Sequence, residues 1–389
     1  MIDQFDYFVP THVVFGPGSL RTLHERKLPG KRALIVTTNG GSVKRHGQLD
    51  ALTAELDAAG VTYHLFDEVS PNPTAKNADD GGARARDLGC DFVVGLGGGS
   101  AIDCAKAIAV AATNPGPIWD YVSSATCGGG KSPEHDALPI VAVTTTAGTG
   151  TEVDQFSVLL NEETDEKTDI EMPSMFPTLA VVDAELMMTV PPAYTAYQGM
   201  DTFFHAAESV INTTEHVVGE MFALKAIELV AANLPRAVAC GSDREARANM
   251  AIANTLAGYY MLCTTEHTME HALGSFHPNL PHGAGLIMIS HAYFDLFAKR
   301  KACEDQMAKM ARAMGVAGAT GGEDFVAALD KLIDDIGCAD LKMSDFGVTR
   351  EELPRVVEKC RNVSGGDDDA NPLPLSDADL LAMFEASYK

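Results

Sequence analysis

Hydrophobic residues follow two different patterns in the two halves of the chain. Between about residue 30 and residue 185, short and continuous apolar runs at 33–37, 91–95, 139–144 and 179–183 alternate with helix-like stretches at 47–59, 78–88 and 101–112. Strands of a parallel sheet are covered on both faces, so continuous apolar runs predict buried parallel strands. The alternation predicts a parallel sheet with helices on both faces.

The strand pattern fades after Pro191 and Pro192. Residues 195–385 form successive amphipathic stretches rich in Ala, Leu, Met and Glu, with predicted breaks at Pro235, Gly241, 274–283, 315–322 and Gly337. A chain of 389 residues is long enough for two cores. We therefore predict an α/β domain at 1–185 and an all-α domain at 186–389.

The composition argues against a nucleic-acid-binding, membrane-spanning or disulfide-rich protein. The chain carries 54 acidic and 29 basic residues, a formal net charge of −25, which argues against partners with many phosphates such as nucleic acids and anionic membranes. It has no uninterrupted apolar run of membrane-spanning length and no basic, apolar leader. Its eight cysteines lack any Cys-x-x-Cys spacing, as is typical of reduced thiols. We expect a soluble cytoplasmic protein.

Potential metal ligands are concentrated in the second half of the chain. An Asp201-x-x-x-His205 pair is followed by four histidines: His267, His271, His277 and His282. Residues four apart share one face of a helix, so the Asp201 pair can present two side chains to a common point. Such a pair alone is more often a coincidence, but together with the histidines it favours a site for iron, zinc or a similar divalent cation.

A glycine-rich segment directly after the predicted strand at 91–95 is a candidate phosphate-binding loop. It contains Gly97, Gly98, Gly99, Ser100 and Asp103, and a predicted helix follows it. Glycines let backbone amides approach a pyrophosphate, and a helix N-terminus favours negative charge. Ser100 is a candidate helix cap or phosphate ligand, with Asp103 placed like the acidic partner of a capping box. A plain tight turn is the alternative.

Two further loops follow predicted strands. Thr145, Thr146 and Thr149 come after the strand at 139–144, where they can line a polar groove beside a cofactor. Asn39, Gly40, Gly41 and Ser42 come after the strand at 33–37 and are followed by Lys44 and Arg45.

The loop after the first of these strands bears on the choice of nicotinamide cofactor. No acidic residue occurs between Thr37 and Gln48, whereas NAD-selective sites usually place a carboxylate near the ribose 2′-hydroxyl. The positive charge of Lys44 and Arg45 instead suits a 2′-phosphate. We predict a preference for NADP(H) over NAD(H).

These motifs, taken in order, resemble the iron-dependent (group III) alcohol dehydrogenase family. The resemblance rests on Phe15-Gly16-x-Gly18, Pro71-Asn72-Pro73-Thr74, Gly97-Gly98-Gly99-Ser100-x-x-Asp103, Thr145-Thr146-x-x-Thr149-x-x-Glu152, Gly199-Met200-Asp201-x-x-x-His205 and Pro281-His282-Gly283. It implies the dehydroquinate synthase-like, iron-containing alcohol dehydrogenase fold: a Rossmann-like N-terminal dinucleotide-binding domain and an all-α C-terminal metal-binding domain, with the metal in the cleft between them. It also implies a homodimer or larger homo-oligomer.

The resemblance assigns roles to individual residues. It implies that Asp201, His205, His267 and His282 bind Fe(II), with Zn(II) as the other candidate, and that His271 faces the nicotinamide as a catalytic residue. It implies that the pyrophosphate and ribose are held by Gly97, Gly98, Gly99, Ser100 and Asp103. The nicotinamide would be flanked by Thr145, Thr146 and Thr149. Asn72 would contact the adenosine half of the cofactor, and Lys167 would reach the ribose. The stretch Asn39–Ser42 resembles the loop of NADPH-using members.

Two departures from the family pattern bear on the site. His282 follows His267 by fifteen positions, one more than is usual in the family, so His277 is a rival ligand. Asp154 stands where many members carry threonine, and an ionised carboxylate near the substrate would disfavour anionic substrates.

The implied activity is hydride transfer between NADPH and a small alcohol or aldehyde held on the metal. Alternatives are another reaction of the superfamily, such as that of glycerol dehydrogenase or a dehydroquinate synthase-like cyclisation, and a non-catalytic nucleotide-binding regulator. A phosphorylated acid substrate needs basic residues, and residues 261–292 contain no Lys or Arg. All four candidate ligands are present, which disfavours the regulator.

Overall fold

The protein divides into two compact units. A computed structural model describes residues 4–123, 129–363 and 370–389. One unit, the sheet unit, spans Tyr7–Thr189; the other, the helical unit, combines Val190–Lys389 with the described residues that precede Tyr7. In that N-terminal segment, the ring of Phe5 stacks on His216, with ring centroids 4.2 Å apart. The helical unit is therefore built from two separated stretches of chain.

A six-stranded, fully parallel sheet forms the centre of the sheet unit. Its strand order is β1-β8-β5-β4-β2-β3, and β6 and β7 form a separate antiparallel hairpin. The strands are β1 (His12–Phe15), β2 (Arg32–Thr38), β3 (Thr62–Val69), β4 (Phe92–Gly97), β5 (Ile140–Thr144), β6 (Phe156–Asn161), β7 (Glu166–Glu171) and β8 (Leu179–Val182). The helices of this unit are α1 (Ser42–Arg45), α2 (Gln48–Ala58), α3 (Ala75–Asp87) and α4 (Gly99–Thr113).

Both faces of the sheet are covered, as the continuous apolar runs predict. Along β2, Ala33 and Ile35 pack into one core together with residues of α2. Leu34 and Val36 point the other way, into a second core with residues of α3 and α4. Successive side chains of a strand point to opposite faces, so a strand covered on both sides needs apolar residues at every position. The predicted parallel sheet is confirmed.

The order of the strands creates a switch point between β2 and β4. From β2 the chain moves to β3 on one side, then returns to β4 on the other side of β2. In open parallel sheets, ligands bind beyond the carboxyl ends of the strands where the order reverses. The loops after β2 and β4, which are two of the three candidate nucleotide loops, lie at this switch point.

Helices make up the second unit, and its described residues contain no strand. They are α5 (Pro192–Ile211), α6 (Val217–Ala239), α7 (Arg244–Gly258), α8 (Thr265–Phe276), α9 (His282–Arg300), α10 (Glu304–Ala313), α11 (Gly322–Asp335), α12 (Leu353–Val363) and α13 (Asp377–Ser387). Among the described residues, none of the helices has both the length and the apolar character needed to cross a bilayer.

The break predicted at Pro235 is wrong, because α6 continues through this residue to Ala239. A proline inside a helix removes one backbone hydrogen bond and usually ends or kinks it. Here Leu234 and Ala237, on either side of the proline, are fully buried. Burial of the apolar face of α6 therefore offsets the lost hydrogen bond.

Candidate metal centre and nucleotide-binding loops

Helix α5 carries Asp201 and His205 on its buried face. The two residues are 4% and 6% exposed, and Asp201 Oδ1 lies 3.7 Å from His205 Nε2. The spacing of four residues places them one turn apart, as the sequence predicts. Glu208 follows on the same buried face of the helix. One helix thus presents two carboxylates and an imidazole to the interior of the helical unit.

Two other helices bring imidazoles to the same carboxylate. His267 lies in the first turn of α8 and His282 is the first residue of α9. Their Nε2 atoms are 3.6 Å and 3.3 Å from Asp201 Oδ1. Asp201 Oδ1 is therefore surrounded by three imidazole nitrogens at 3.3–3.7 Å, contributed by three different helices.

The arrangement of these donors fits a divalent cation. Asp201 Oδ1 and His267 Nε2 are buried and have no hydrogen-bond partner, and a buried unsatisfied polar group costs about 1–3 kcal/mol. Ligand atoms about 2.0–2.2 Å from a tetrahedral ion are about 3.4 Å from one another, close to the separations observed here. An ion bound at this point would satisfy both orphaned atoms.

The charge states of Asp201 and His205 also suit a cation. Burial disfavours ionisation of Asp201, but the neighbouring His205 and His282 outweigh it and hold the pKa of this carboxyl well below its usual range. Burial lowers the pKa of His205 to about 4. An ionised carboxylate and a neutral imidazole, the forms that bind metals, are thus present together at neutral pH.

Two carboxylates orient the imidazoles. Glu208 contacts His267 Nδ1 and Glu270 contacts His282 Nδ1, so in both rings the Nε2 atom faces Asp201. Glu208 also accepts hydrogen bonds from the Thr264 amide and hydroxyl groups, at 2.6 and 2.7 Å. Carboxylates that hold the second nitrogen of a ligating histidine are a recurrent feature of metal sites.

Sequence reasoning missed both of these carboxylates. A signal for Glu208 was available, because Asp201, His205 and Glu208 follow the i, i+4, i+7 spacing of one helical face. Glu270 has the weaker signal of standing three residues after His267.

His271 lies beside this cluster and His277 lies outside it. One nitrogen of His271, one of His282 and a carboxylate oxygen of Glu270 lie within 4.8 Å of one another, and the His271 and His282 rings are 5.4 Å apart. The rival ligand His277 pairs through Nε2 with Glu352 at 2.8 Å. It belongs to none of the potential metal-binding clusters among the described residues.

Close packing fixes the start of α9. A Cβ atom added at Gly283 would lie 2.1 Å from the carbonyl oxygen of Tyr197 on α5. Only glycine permits this approach. The contact sets His282, the preceding residue, against the helix that carries Asp201.

In the sheet unit, the loops after β4 and β5 pack directly against each other. The Thr145 amide donates to the Gly97 carbonyl at 2.9 Å. A Cβ atom at Gly98 would lie 2.9 Å from Thr146, and one at Gly99 would lie 2.5 Å from Thr149. The glycines therefore allow the two predicted loops to meet, and the structure brings these predicted cofactor residues together at one edge of the sheet.

The predicted capping role of Ser100 is wrong. Helix α4 begins at Gly99 with Gly98 as its N-cap, and no side chain caps it. The backbone turn made by the glycines places Ser100 inside the first helical turn, where its side chain cannot act as the cap. A helix N-terminus without a side-chain cap is suited to an anionic ligand.

Asp103 faces the protein. Its Oδ1 accepts a hydrogen bond from the Thr151 hydroxyl at 2.6 Å, and its Oδ2 accepts one from the Val158 amide at 3.0 Å. Burial raises the pKa of Asp103 to about 6. The carboxylate thus ties α4 to the segment that leads into the β6–β7 hairpin.

The loop after β2 has a carboxylate that the sequence did not reveal. Lys44 contacts Asp67 of β3, and this contact holds the pKa of Asp67 below its usual range. Arg45 donates to the Gly40 carbonyl at 2.6 Å. Asp67 is distant from the loop in sequence, but β3 pairs with β2 and brings it close. Lys44 and Arg45, the two basic residues predicted to suit a 2′-phosphate, therefore both have partners within the protein.

The remaining predicted cofactor residues lie in three places. Asn39 and Gly40 continue from β2, and Gly41 and Ser42 begin α1, with Gly41 in the left-handed region at φ 68°. Asn72 also has a positive φ, 56°, in the connection from β3 to α3. Lys167 lies on β7, is 6% exposed and stands opposite Leu160 in the hairpin.

Comparisons with known proteins agree with this architecture. A family described as iron-containing alcohol dehydrogenase matches residues 10–184, and the C-terminal part of the Fe-containing alcohol dehydrogenase family matches residues 195–388. The chain is similar to 1,3-propanediol dehydrogenase of Klebsiella pneumoniae, with 36% identity over 99% of both chains. It is also similar to NADPH-dependent butanol dehydrogenase of Clostridium saccharobutylicum, with 31% identity over 98% of this chain and 97% of the other.

A solved structure shows the same fold. The archaeal halo-thermophilic Red Sea brine pool alcohol dehydrogenase ADH/D1 superposes with a TM-score of 0.93 and 31% identity, and the match covers 100% of both chains. The sheet topology, the helical unit and the family matches along almost the whole chain lead to one conclusion. This protein belongs to the iron-containing alcohol dehydrogenase family of oxidoreductases.

Proposed function

We propose that this protein transfers hydride between NADP(H) and a small alcohol or aldehyde at a divalent metal centre formed by Asp201, His205, His267 and His282. The observation that carries the proposal is the arrangement around Asp201 Oδ1, which has three imidazole nitrogens at 3.3–3.7 Å. Three nitrogens and one oxygen suit Fe(II), with Zn(II) as the alternative.

Contacts between side chains of the protein orient the ligands of this centre. Glu208 and Glu270 hold His267 and His282 so that Nε2 of each ring faces Asp201 Oδ1, where each would bind an ion. When bound, the ion supplies Lewis-acid polarisation of the carbon–oxygen bond, and the nicotinamide supplies or accepts the hydride. Burial of Asp201, His205 and His267 excludes water from these three side chains and strengthens their electrostatic interaction.

The edge of the sheet near the switch point is the proposed nucleotide site. Gly97, Gly98, Gly99 and Ser100 would hold the pyrophosphate at the N-terminus of α4. Thr145, Thr146 and Thr149 would flank the nicotinamide, Asn72 would contact the adenosine half and Lys167 would reach the ribose. We assign Asp103 a positioning role, because its oxygens bond to Thr151 and Val158.

The preference for NADP(H) rests on the loop formed by Asn39–Ser42. The loop itself carries no carboxylate, and Lys44 supplies a positive charge beside it. Asp67 neutralises part of that charge, so the preference is expected to be moderate. One relative bears the name NADPH-dependent butanol dehydrogenase and another the name probable NADH-dependent butanol dehydrogenase, so the proposed preference rests on the loop alone.

We assign His271 a catalytic role as a proton carrier. It stands one helical turn after His267, next to the ring of His282. A half-exposed imidazole in that position can exchange a proton between a reacting oxygen and solvent.

The substrates we propose are small and neutral. The relatives act, by their names, on 1,3-propanediol and butanol. Residues 261–292, which carry most of the histidine cluster, include no Lys or Arg to bind an anion. A homodimer or larger oligomer and a cytoplasmic location remain predictions.

The test is reconstitution of the full-length protein. The protein is purified anaerobically, stripped of metal, and supplied with Fe(II) or Zn(II), NADPH or NADH, and 3-hydroxypropanal or butanal. We expect turnover that depends on the metal and is faster with NADPH. Faster turnover with NADH would contradict the cofactor proposal alone. Absence of turnover in every metallated form, despite nucleotide binding, would contradict the proposed reaction.

A further inference from the structure

A thiol lies next to the candidate metal centre. Cys263 stands just before α8, and its Sγ lies within 4.8 Å of one ring nitrogen each of His205 and His267, which lie equally close to each other. Among the cysteines that the structure describes, Cys263 is the one that belongs to a potential metal-binding cluster, and its two neighbours there, His205 and His267, also lie near Asp201.

His267 gives independent evidence that a ligand belongs at this position. The residue is 4% exposed, its Nδ1 is held by Glu208, and its buried Nε2 has no hydrogen-bond partner. His267 belongs both to the group with Asp201 and His282 and to the group with Cys263 and His205, and its Nε2 is the atom that lies 3.6 Å from Asp201 Oδ1. A cation bound by His267 therefore lies in a cluster that includes both a carboxylate and a thiol.

We propose that Cys263 supplies a sulfur ligand to the metal centre, so that two overlapping donor sets, one containing Asp201 and one containing Cys263, share His267. The inference rests on the metal centre proposed above. Binding breaks the S–H bond of Cys263, the sulfur forms a bond with the cation, and the proton passes to solvent. No change of oxidation state is involved.

The sulfur ligand has a consequence for the identity of the metal. Thiolates prefer Zn(II) and similar softer ions, whereas carboxylates also accept harder ions. Tetrahedral Zn–S and Zn–N bonds of about 2.3 and 2.0 Å place the ligand atoms about 3.5 Å apart, within the 4.8 Å limit observed for this group. Cys263 therefore raises the affinity of the centre for zinc relative to iron.

The experiment uses the full-length protein loaded with Co(II), whose absorption reports its ligands. We expect visible ligand-field bands and, in addition, a sulfur-to-cobalt charge-transfer band in the near ultraviolet. The charge-transfer band should disappear in Cys263→Ser. It should remain in Cys303→Ser, a matched control because Cys303 is also in the helical unit and is buried at the start of α10. In Cys263→Ser, the affinity for Zn(II) should fall about 10-fold, and the affinity for Fe(II) should fall by less.

The outcomes separate this inference from the proposed function. Visible cobalt bands without the near-ultraviolet band, or a band that persists in Cys263→Ser, would overturn the role of Cys263 and leave the metal centre intact. Failure of the protein to bind cobalt at all would overturn the metal centre itself.

A second measurement needs no variant and covers the case in which Cys263→Ser does not fold. The unmodified protein is treated with iodoacetamide with and without Zn(II), and the alkylated peptides are identified by mass. Zinc should protect Cys263 and leave the exposed Cys240 equally reactive. Equal labelling of Cys263 in both samples would contradict the proposal.

Discussion

Lys106 donates a hydrogen bond from its ammonium group to Asp154 Oδ1 at 2.6 Å, and the two side chains are 0% and 5% exposed. Lys106 also donates to the Phe156 carbonyl at 2.8 Å. The sequence predicts that the carboxylate at position 154, if ionised and near the substrate, would disfavour anionic substrates. The structure corrects this prediction, because a buried cation neutralises the carboxylate. Selection against anions cannot come from Asp154.

Breaking this pair should destabilise the sheet unit. Lys106→Met leaves the Asp154 carboxylate buried without its cation, and we expect a loss of about 3–5 kcal/mol in the free energy of unfolding. The measurement is the urea midpoint of the unfolding transition. The double variant Lys106→Met/Asp154→Leu removes both charges and should recover most of the loss. A double variant as unstable as the single one would contradict this account.

Metal binding should depend on His282 and not on His277. His282→Ala removes an imidazole 3.3 Å from Asp201 Oδ1, so we expect metal content and turnover to fall by at least 10-fold. His277→Ala removes only the contact with Glu352 and should retain its metal. Metal analysis of both variants after dialysis distinguishes the two histidines. Loss of the metal from His277→Ala alone would assign the ligand to His277.

The carboxylate behind His267 should affect metal affinity. Glu208→Gln weakens the contact with His267 Nδ1, and we expect metal affinity to fall about 10- to 100-fold. Glu228→Gln is the control, since Glu228 lies on α6 and pairs with Lys225 at the surface. Competition with a chelator measures both affinities. Equal affinities in the two variants would show that Glu208 does not orient the ligand.

Asp103 should make the sheet unit less stable as the pH rises. Burial raises the pKa of Asp103 from its ordinary 3.8 to about 6 in the folded protein. The folded state therefore holds the proton more tightly, and stability falls between about pH 4 and pH 6 by an amount on the order of 3 kcal/mol.

The variant Asp103→Asn isolates this contribution. It also loses a hydrogen bond, but that loss is the same at every pH. We expect the difference in urea midpoint between pH 4 and pH 7 to be smaller in Asp103→Asn than in the original protein. An unchanged difference would show that Asp103 does not titrate in this range.

Removal of Asp67 should strengthen the preference for NADPH. Asp67→Asn frees Lys44 and removes a negative charge beside the proposed site of the 2′-phosphate. A charge interaction near the surface is worth about 1 kcal/mol, so we expect KM for NADPH to fall several-fold while KM for NADH changes less. Asp80→Asn removes a similar exposed carboxylate, paired with Lys76 on α3, and should leave both values unchanged. An equal change in both cofactors would contradict the prediction.

The strands that could be predicted from the sequence are those buried on both faces of the sheet. Strands β2, β4, β5 and β8 are covered on both faces, so their apolar runs are continuous and visible. The edge strands β1 and β3 and the hairpin β6–β7 carry exposed or half-exposed residues, and their patterns resemble those of loops. A strand at the edge of a sheet needs less apolar surface, so its sequence is less distinctive.

Likewise, the parts of the site that could be predicted are those whose residues lie close together in the sequence. Asp201 and His205 are neighbours on one helix, and glycines mark the loop at 97–99, so both features are visible in the sequence. The contacts of Glu208 with His267, Lys44 with Asp67 and Lys106 with Asp154 join residues that are distant in the chain. Those pairings depend on the tertiary fold, which one sequence read locally does not show.

The stacking of Phe5 on His216 has a consequence for the order of events during synthesis. Residues 7–189 are an insertion within the helical unit, so a ribosome completes them before the partner of Phe5 emerges. Domains generally fold as units while the chain is being made, which lets the sheet unit fold first. The last of the four proposed metal ligands emerges later still. The proposed metal centre is therefore completed only after the whole of the sheet unit has been synthesised.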